Sequence, residues 1–130
     1  MVHFEIQADD LERAKTFYGA VFDWSFQDWS QMSGGESAYW GIVTGPDDEM
    51  GINGGLLKRG APGPGGGQGT NAFVCTIGVG DYDATEKRIL EAGGEVALPK
   101  MALPGMAWQG YYLDPEGNTF GIHQPDPEAK

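Results

Sequence analysis

The stretch His3-Phe4-Glu5-Ile6-Gln7-Ala8-Asp9-Asp10 decides the fold, because its pattern returns 71 residues later as Val74-Cys75-Thr76-Ile77-Gly78-Val79-Gly80-Asp81. Each copy alternates like a strand and ends on an acidic residue. After the first, predicted as a strand over Val2–Ala8, Asp10–Phe22 carries Leu11, Ala14, Phe17, Tyr18 and Val21 at helical spacing. Asp9 followed by Glu12 has the spacing of a capping box. After the second, a strand over Asn71–Val79, Tyr82–Ala92 reads as a helix and Gly93-Gly94 as its left-handed stop. Three short runs then follow each helix. They are Trp24–Trp29, Ser37–Thr44 and Gly51–Lys58 in the first half, and Glu95–Lys100, Ala107–Leu113 and Asn118–Gln124 in the second. Asp114-Pro115-Glu116-Gly117 suits a tight turn between the last two. The period is too long for a solenoid and fits a duplicated βαβββ unit.

The predicted class is therefore α+β: two tandem βαβββ units forming a curved eight-stranded mixed sheet with the helices outside. The units are expected at 1–59 and 71–126, with a Gly/Pro linker at 60–70 and a tail at 127–130. Eight of the ten residues from Gly60 to Gly69 are Gly or Pro, which sets the linker apart. A chain of 130 residues fits one domain, and a helix on one face of each sheet leaves the other face for a ligand.

Eight basic against nineteen acidic side chains give a net charge of −11, which opposes binding to nucleic acid or to an anionic membrane. The N-terminal residues lack the pattern of a secretory leader, and no apolar run reaches membrane-spanning length, so a cytoplasmic location is expected. The one cysteine, Cys75, excludes an internal disulfide and a thiolate cluster, and strand alternation predicts a buried, inert thiol there. The linker is no phosphate cradle: no Lys-Ser or Lys-Thr follows it, and a strand comes next rather than a helix.

Along the first strand His3, Glu5 and Gln7 share one face, and Phe4, Ile6 and Ala8 the other. Burying Phe4 and Ile6 gains roughly 1.5–3 kcal/mol each, whereas an unpaired buried carboxylate costs several kcal/mol. Glu5 is therefore expected on the face away from the helix.

The segment His3–Tyr18, with Glu91-Ala92-Gly93-Gly94 and Asp114-Pro115-Glu116-Gly117-Asn118, resembles the vicinal oxygen chelate superfamily of glyoxalase I, extradiol dioxygenases, fosfomycin-resistance enzymes and bleomycin-binding proteins. Gly51-Ile52-Asn53-Gly54-Gly55 and the tail Phe120–Pro127 are similar to a bacterial glyoxalase-related subgroup without an assigned reaction. In metal-dependent members the first and last strands of each unit each supply one ligand. The resemblance puts His3 on the first such position, Val74 on its duplicate and Gly121 on the last strand of the second unit. The remaining position falls near Asn53 or Gly54. Only His3 is a competent ligand, so the resemblance implies no metal-dependent glyoxalase I and no obligatory cofactor.

The resemblance also places His123, Gln109 and Tyr111 in the ligand pocket, and Gln7, Thr76 and Trp108 join them as candidate binding residues. Glu5, His3 and His123 are the candidate catalytic groups, since carboxylate and imidazole perform acid–base chemistry near neutrality. A solvated sheet face is the plain alternative reading of His3, Glu5 and Gln7. Trp24, Trp29 and Trp40 read as core or interface residues, and Met101–Ala107 as a surface loop that could hinge over the site. The expected function is a small-molecule pocket performing acid–base chemistry. The alternatives are a non-catalytic binder of a hydrophobic or aromatic ligand, and a divalent-metal lyase or dioxygenase in which His3, Glu5 and His123 form an irregular site. A homodimer is expected from the superfamily and from exposed sheet edges.

Overall fold

A computed structural model describes residues 1–33, 38–63, 65 and 73–130. The chain divides into two compact units, Met1–Gly63 and Pro64–Lys130. The first contains β1 (Phe4–Ala8), α1 (Leu11–Phe22), β2 (Ser25–Asp28), β3 (Tyr39–Val43) and β4 (Gly54–Lys58). The second contains β5 (Thr76–Gly78), α2 (Tyr82–Glu91), β6 (Glu95–Leu103), β7 (Ala107–Leu113) and β8 (Thr119–Pro125). All eight expected strands and both helices are present. Hydrogen bonding groups the strands into two four-stranded sheets, ordered β1-β4-β3-β2 and β5-β8-β7-β6. In each, the first and last strands of the unit pair in parallel and the other pairs are antiparallel. Most of the expected linker, and the predicted strand positions Ser37, Asn71 and Ala72, lie outside the described residues.

The duplication is most literal at the helix starts. Asp10 caps α1 by accepting from the Arg13 backbone N–H at 3.0 Å, and Asp81 caps α2 by accepting from that of Ala84 at 3.0 Å. The cap is thus Asp10 and not Asp9, one residue later than the capping-box spacing suggests. An Asx cap must itself be extended, and Asp10 has φ −117° and ψ 99°. At the far end of α2 the expected stop holds: Gly93 has φ +93°, and the Gly94 N–H donates to the Ile89 carbonyl at 2.9 Å. The Asp114–Gly117 turn also holds, with the Asp114 carboxylate accepting from the Glu116 and Asn118 backbone N–H groups at 2.9 Å each.

In the first unit Ala14 of α1 packs against Ala8, Ile42 and Leu56, with Phe4, Ile6, Trp24, Phe26 and Trp40 around them. This puts Phe4 and Ile6 on the helix side and Glu5 opposite, as the burial argument requires. In the second unit Tyr82 and Ile89 of α2 are buried, as are Tyr112, Phe120 and Ile122 of the sheet. Tyr82 reaches over Gly110, where a β-carbon would come within 1.9 Å of its hydroxyl. That hydroxyl lies 2.7 Å from the Tyr112 hydroxyl, which in turn donates to Glu86 at 2.5 Å.

Several expectations shift. Val2 is exposed, and β1 begins at Phe4 because the register with β4 starts at the Phe4–Gly54 pair. Cys75 is exposed: β5 is only three residues long and starts after it, so the alternation that would bury the thiol does not extend that far. Met101–Leu103 belong to β6, and the remainder of the supposed hinge loop is a tight turn. There the Met106 N–H donates to Leu103 and the Gly105 N–H to the Ala129 carbonyl, each at 2.9 Å. Ala129 is buried, so the 127–130 tail packs on that turn. Among the described residues no helix is long and apolar enough to cross a membrane.

Two outcomes follow. Asp10→Ala and Asp81→Ala should each cost about 1 kcal/mol in chemical denaturation. Burial, and for Tyr112 also the Glu86 hydrogen bond, raises the pKa of Tyr82 and Tyr112 above the usual 10.0. The stability they contribute is then fully present below about pH 10 and falls as pH rises beyond it. A spectrophotometric titration should show these two phenols ionising only as the protein unfolds, and Tyr112→Phe should lessen the alkaline loss.

Candidate functional site

The face of the first sheet away from α1 carries a connected polar group. The Tyr39 hydroxyl donates to Glu5 Oε1 at 3.0 Å and lies 3.1 Å from His3 Nε2, while His3 and Glu5 are 4.0 Å apart. Their side chains remain 43% and 47% exposed, so the trio is reachable from solvent. Tyr39 stands on β3 and Glu5 on β1, with β4 between them. The phenol crosses β4 at Gly55, where a β-carbon would sit 2.0 Å from its hydroxyl oxygen. Burial raises the Tyr39 pKa, and the hydrogen bond to Glu5 and its negative charge raise it further. Gln7 is exposed on the same strand and face.

The helix-free face of the second sheet is built the same way. Gln109 of β7 is paired in register with His123 of β8, and the Gln109 Oε1 lies 2.8 Å from His123 Nδ1. With the amide oxygen as acceptor, Nδ1 carries the proton and Nε2 keeps its lone pair. The glycine here is Gly121. A β-carbon on it would fall 2.8 Å from Thr76 Oγ1, 3.0 Å from Gln109 Nε2 and 3.1 Å from Tyr111 Cε1. Thr76, Gln109, Tyr111 and His123 therefore converge around one bare position. Trp108 does not join them: alternation along β7 puts it on the α2 side, where its indole N–H donates to Asp126 at 2.9 Å and Lys100 lies 4.6 Å over its ring. His3 and Glu5 belong to the first unit and His123 to the second.

Sequence reasoning misses Tyr39, although the repeat contains the signal. Tyr39 pairs with Leu57 as Gln109 pairs with His123, so it occupies the place of Gln109 in the first unit. Carrying the pocket position of Gln109 back by 70 residues leads to Tyr39. Trp29 is not the filler that its residue type suggests; it lies over Gly41, within 2.8 Å of where a β-carbon would be.

The register also settles the last chelating position. Glu5 pairs with Gly55 and Thr76 with Gly121, so the first-unit counterpart of Gly121 is Gly55 and neither Asn53 nor Gly54. Asn53 instead accepts from the Thr44 backbone N–H at 3.0 Å. The four positions thus hold His3, Val74, Gly55 and Gly121, which do not fit a four-ligand metal centre. Among the described residues no three His, Cys, Asp or Glu side chains are grouped to hold a metal ion.

A family model described as "Bleomycin resistance protein-like N-terminal" matches residues 1–34. The "Putative glyoxylase CFP32" proteins of Mycobacterium bovis and Mycobacterium tuberculosis are 29% identical over 122 residues. That alignment takes in 92% of this chain but 43% of those relatives, so the chain spans less than half their length. A glyoxalase/bleomycin resistance/dioxygenase family enzyme from Burkholderia phytofirmans superposes with a TM-score of 0.66 at 18% identity, covering 94% of this chain and 95% of that one. A mutant of the fosfomycin resistance protein FosX from Listeria monocytogenes, complexed with Mn(II) and 1S,2S-dihydroxypropylphosphonic acid, gives 0.69 at 15% identity, covering 95% and 87%. Fold, family model and relatives together identify the chain as a member of the glyoxalase/bleomycin resistance/dioxygenase, or vicinal oxygen chelate, superfamily.

The Tyr39 geometry has a direct readout. Following the Tyr39 ring carbon by NMR, Glu5→Gln should lower its pKa toward the ordinary phenol value, because the carboxylate opposes a second negative charge. Gly55→Ala should do the same by pushing the hydroxyl off Glu5. An unchanged titration in both variants would contradict the hydrogen bond.

Proposed function

We propose that the protein binds a small organic molecule on its helix-free faces and acts on it by acid–base chemistry without a metal. The hydrogen-bonded His3–Tyr39–Glu5 group carries this reading. Glu5 offers a carboxylate to take a proton, while Tyr39 and His3 offer O–H and N–H groups to return one or to stabilise developing negative charge. On the second unit, Nε2 of His123 is a further base, held in one tautomer by Gln109. Thr76 and Tyr111 position the ligand beside it, and Gln7 extends the polar surface next to Glu5. The Mn(II) bound in the FosX structure supports a metal-dependent alternative, but the positions this chain shares with such sites lack the donors. A homodimer belongs to the proposal, since β2 and β6 are unpaired sheet edges and Val96 and Leu98 of β6 are exposed.

The test uses chelator-dialysed protein and a panel of small carbonyl and hydroxylated compounds, read by thermal shift and then by product formation. A compound that stabilises the wild type should be converted, and Glu5→Gln should reduce turnover by about 10²–10⁴-fold while leaving Tm of the free protein unchanged. Stabilisation without product after long incubation would favour the non-catalytic binder, the second reading, which rests on the aromatic side chains of the same faces. Activity that survives Glu5→Gln, Tyr39→Phe and His123→Ala would contradict the acid–base assignment.

A further inference from the structure

The helix-free face of the first unit carries a second feature beside the polar trio. A β-carbon on Gly41 would be 2.8 Å from each of Trp29 Cδ2, Cε2 and Cε3. Equal distances to three atoms of the six-membered ring mean that the indole lies flat on the sheet over Gly41. Trp29 is nevertheless 37% exposed, so the ring presents its other side outward. An exposed indole normally samples several rotamers, but this one is held at its base. The Asp28 carboxylate accepts from the Ser30 backbone N–H at 2.9 Å and from the Ser30 hydroxyl at 2.6 Å. Ser30 Oγ accepts from the Tyr39 N–H at 3.2 Å, and the Trp29 N–H donates to the Tyr39 carbonyl at 2.8 Å. The hydrogen bonds from Ser30 also hold the Asp28 carboxyl below the usual carboxylate range.

Gly41, Gly55 and Glu5 stand in one row across β3, β4 and β1. With strands about 4.8 Å apart, the Glu5 carboxylate lies about 10 Å along the sheet from the indole. Tyr39 fills the interval at Gly55 and donates its proton to Glu5 Oε1, which leaves the carboxylate's acceptor capacity facing solvent. The row therefore combines a pre-set stacking surface with a negatively charged acceptor at the reach of a fused ring system.

From this geometry we infer that the first unit binds flat, conjugated ring ligands whose edge carries N–H donors, neutral or cationic, with the ring on Trp29 and the donors on Glu5. The inference rests on the helix-free face being the ligand-binding face and adds the class of ligand that it takes. An amidine or guanidine fused to an aromatic ring suits it best, because its two parallel N–H groups match a carboxylate. A phosphonate or other anion is disfavoured by Glu5 and by the charge of −11. A saturated ring with the same donors loses the stacking contribution.

The test measures binding of 2-aminobenzimidazole, cyclohexylguanidine and phenylphosphonate by calorimetry, with the Trp29 indole N–H followed by NMR. 2-Aminobenzimidazole should bind about tenfold or more tightly than either of the others and should shift the Trp29 signal. Trp29→Leu should reduce it to the level of cyclohexylguanidine, and Glu5→Gln should weaken it by about tenfold. Trp29→Phe, a milder change, should give an intermediate affinity. Equal affinities for the flat and saturated guanidines, or no binding of 2-aminobenzimidazole, would overturn the inference. Binding retained in Trp29→Leu with shifts around His123 would also overturn it, while leaving the helix-free faces as the ligand-binding surface. Stacking that persists in a protein showing no turnover would support the inference and count against acid–base catalysis alone.

Discussion

A β-carbon on Gly55 would lie 2.0 Å from the Tyr39 hydroxyl, and the ligand-facing side of the first unit is arranged around its absence. β4 runs between β1 and β3, so a side chain on β3 meets one on β1 only by passing over β4. Any residue larger than glycine there would block the passage and separate Tyr39 from Glu5 and His3. The second unit repeats the device at Gly121, also on the strand between its neighbours, where Thr76 arrives from β5 and Gln109 and Tyr111 from β7. Superfamily resemblance puts chelating side chains at these central-strand positions in metal-dependent members. In this chain the same positions are crossing points for hydrogen-bonding groups from adjacent strands.

The two faces have diverged in chemistry while keeping this plan. The first holds a carboxylate, a phenol with a raised pKa, an imidazole and an indole laid flat on Gly41. The second holds no carboxylate among Thr76, Gln109, Tyr111 and His123, and its imidazole is oriented by an amide. A neutral face and a negatively charged face select different parts of a ligand, so duplication here has produced two unlike surfaces on one architecture.

Much of the architecture is legible from local pattern. The return of His3–Asp10 at Val74–Asp81 locates both caps to within a residue, and alternation puts Phe4 and Ile6 toward the helix and Glu5 away from it. What is not legible depends on pairing between distant strands. Tyr39 acquires its role only when β3 and β1 flank β4, and Asn53 or Gly54 gives way to Gly55 only once the parallel register is known. Alternation also fails where a strand is shorter than its apparent pattern, as at Cys75, and it puts Trp108 on the α2 side instead of with Gln109 and Tyr111. The repeat itself holds an unused clue, since the place of Gln109 in the second unit points to Tyr39 in the first.

The claim that hydrogen-bonding side chains have taken over from chelation is tested most directly by titrating chelator-treated protein with Mn(II), Ni(II) and Zn(II) under native mass spectrometry and calorimetry. The account predicts only weak, non-stoichiometric association that His3→Ala leaves unchanged. One tightly bound ion per chain that is lost in His3→Ala would contradict it.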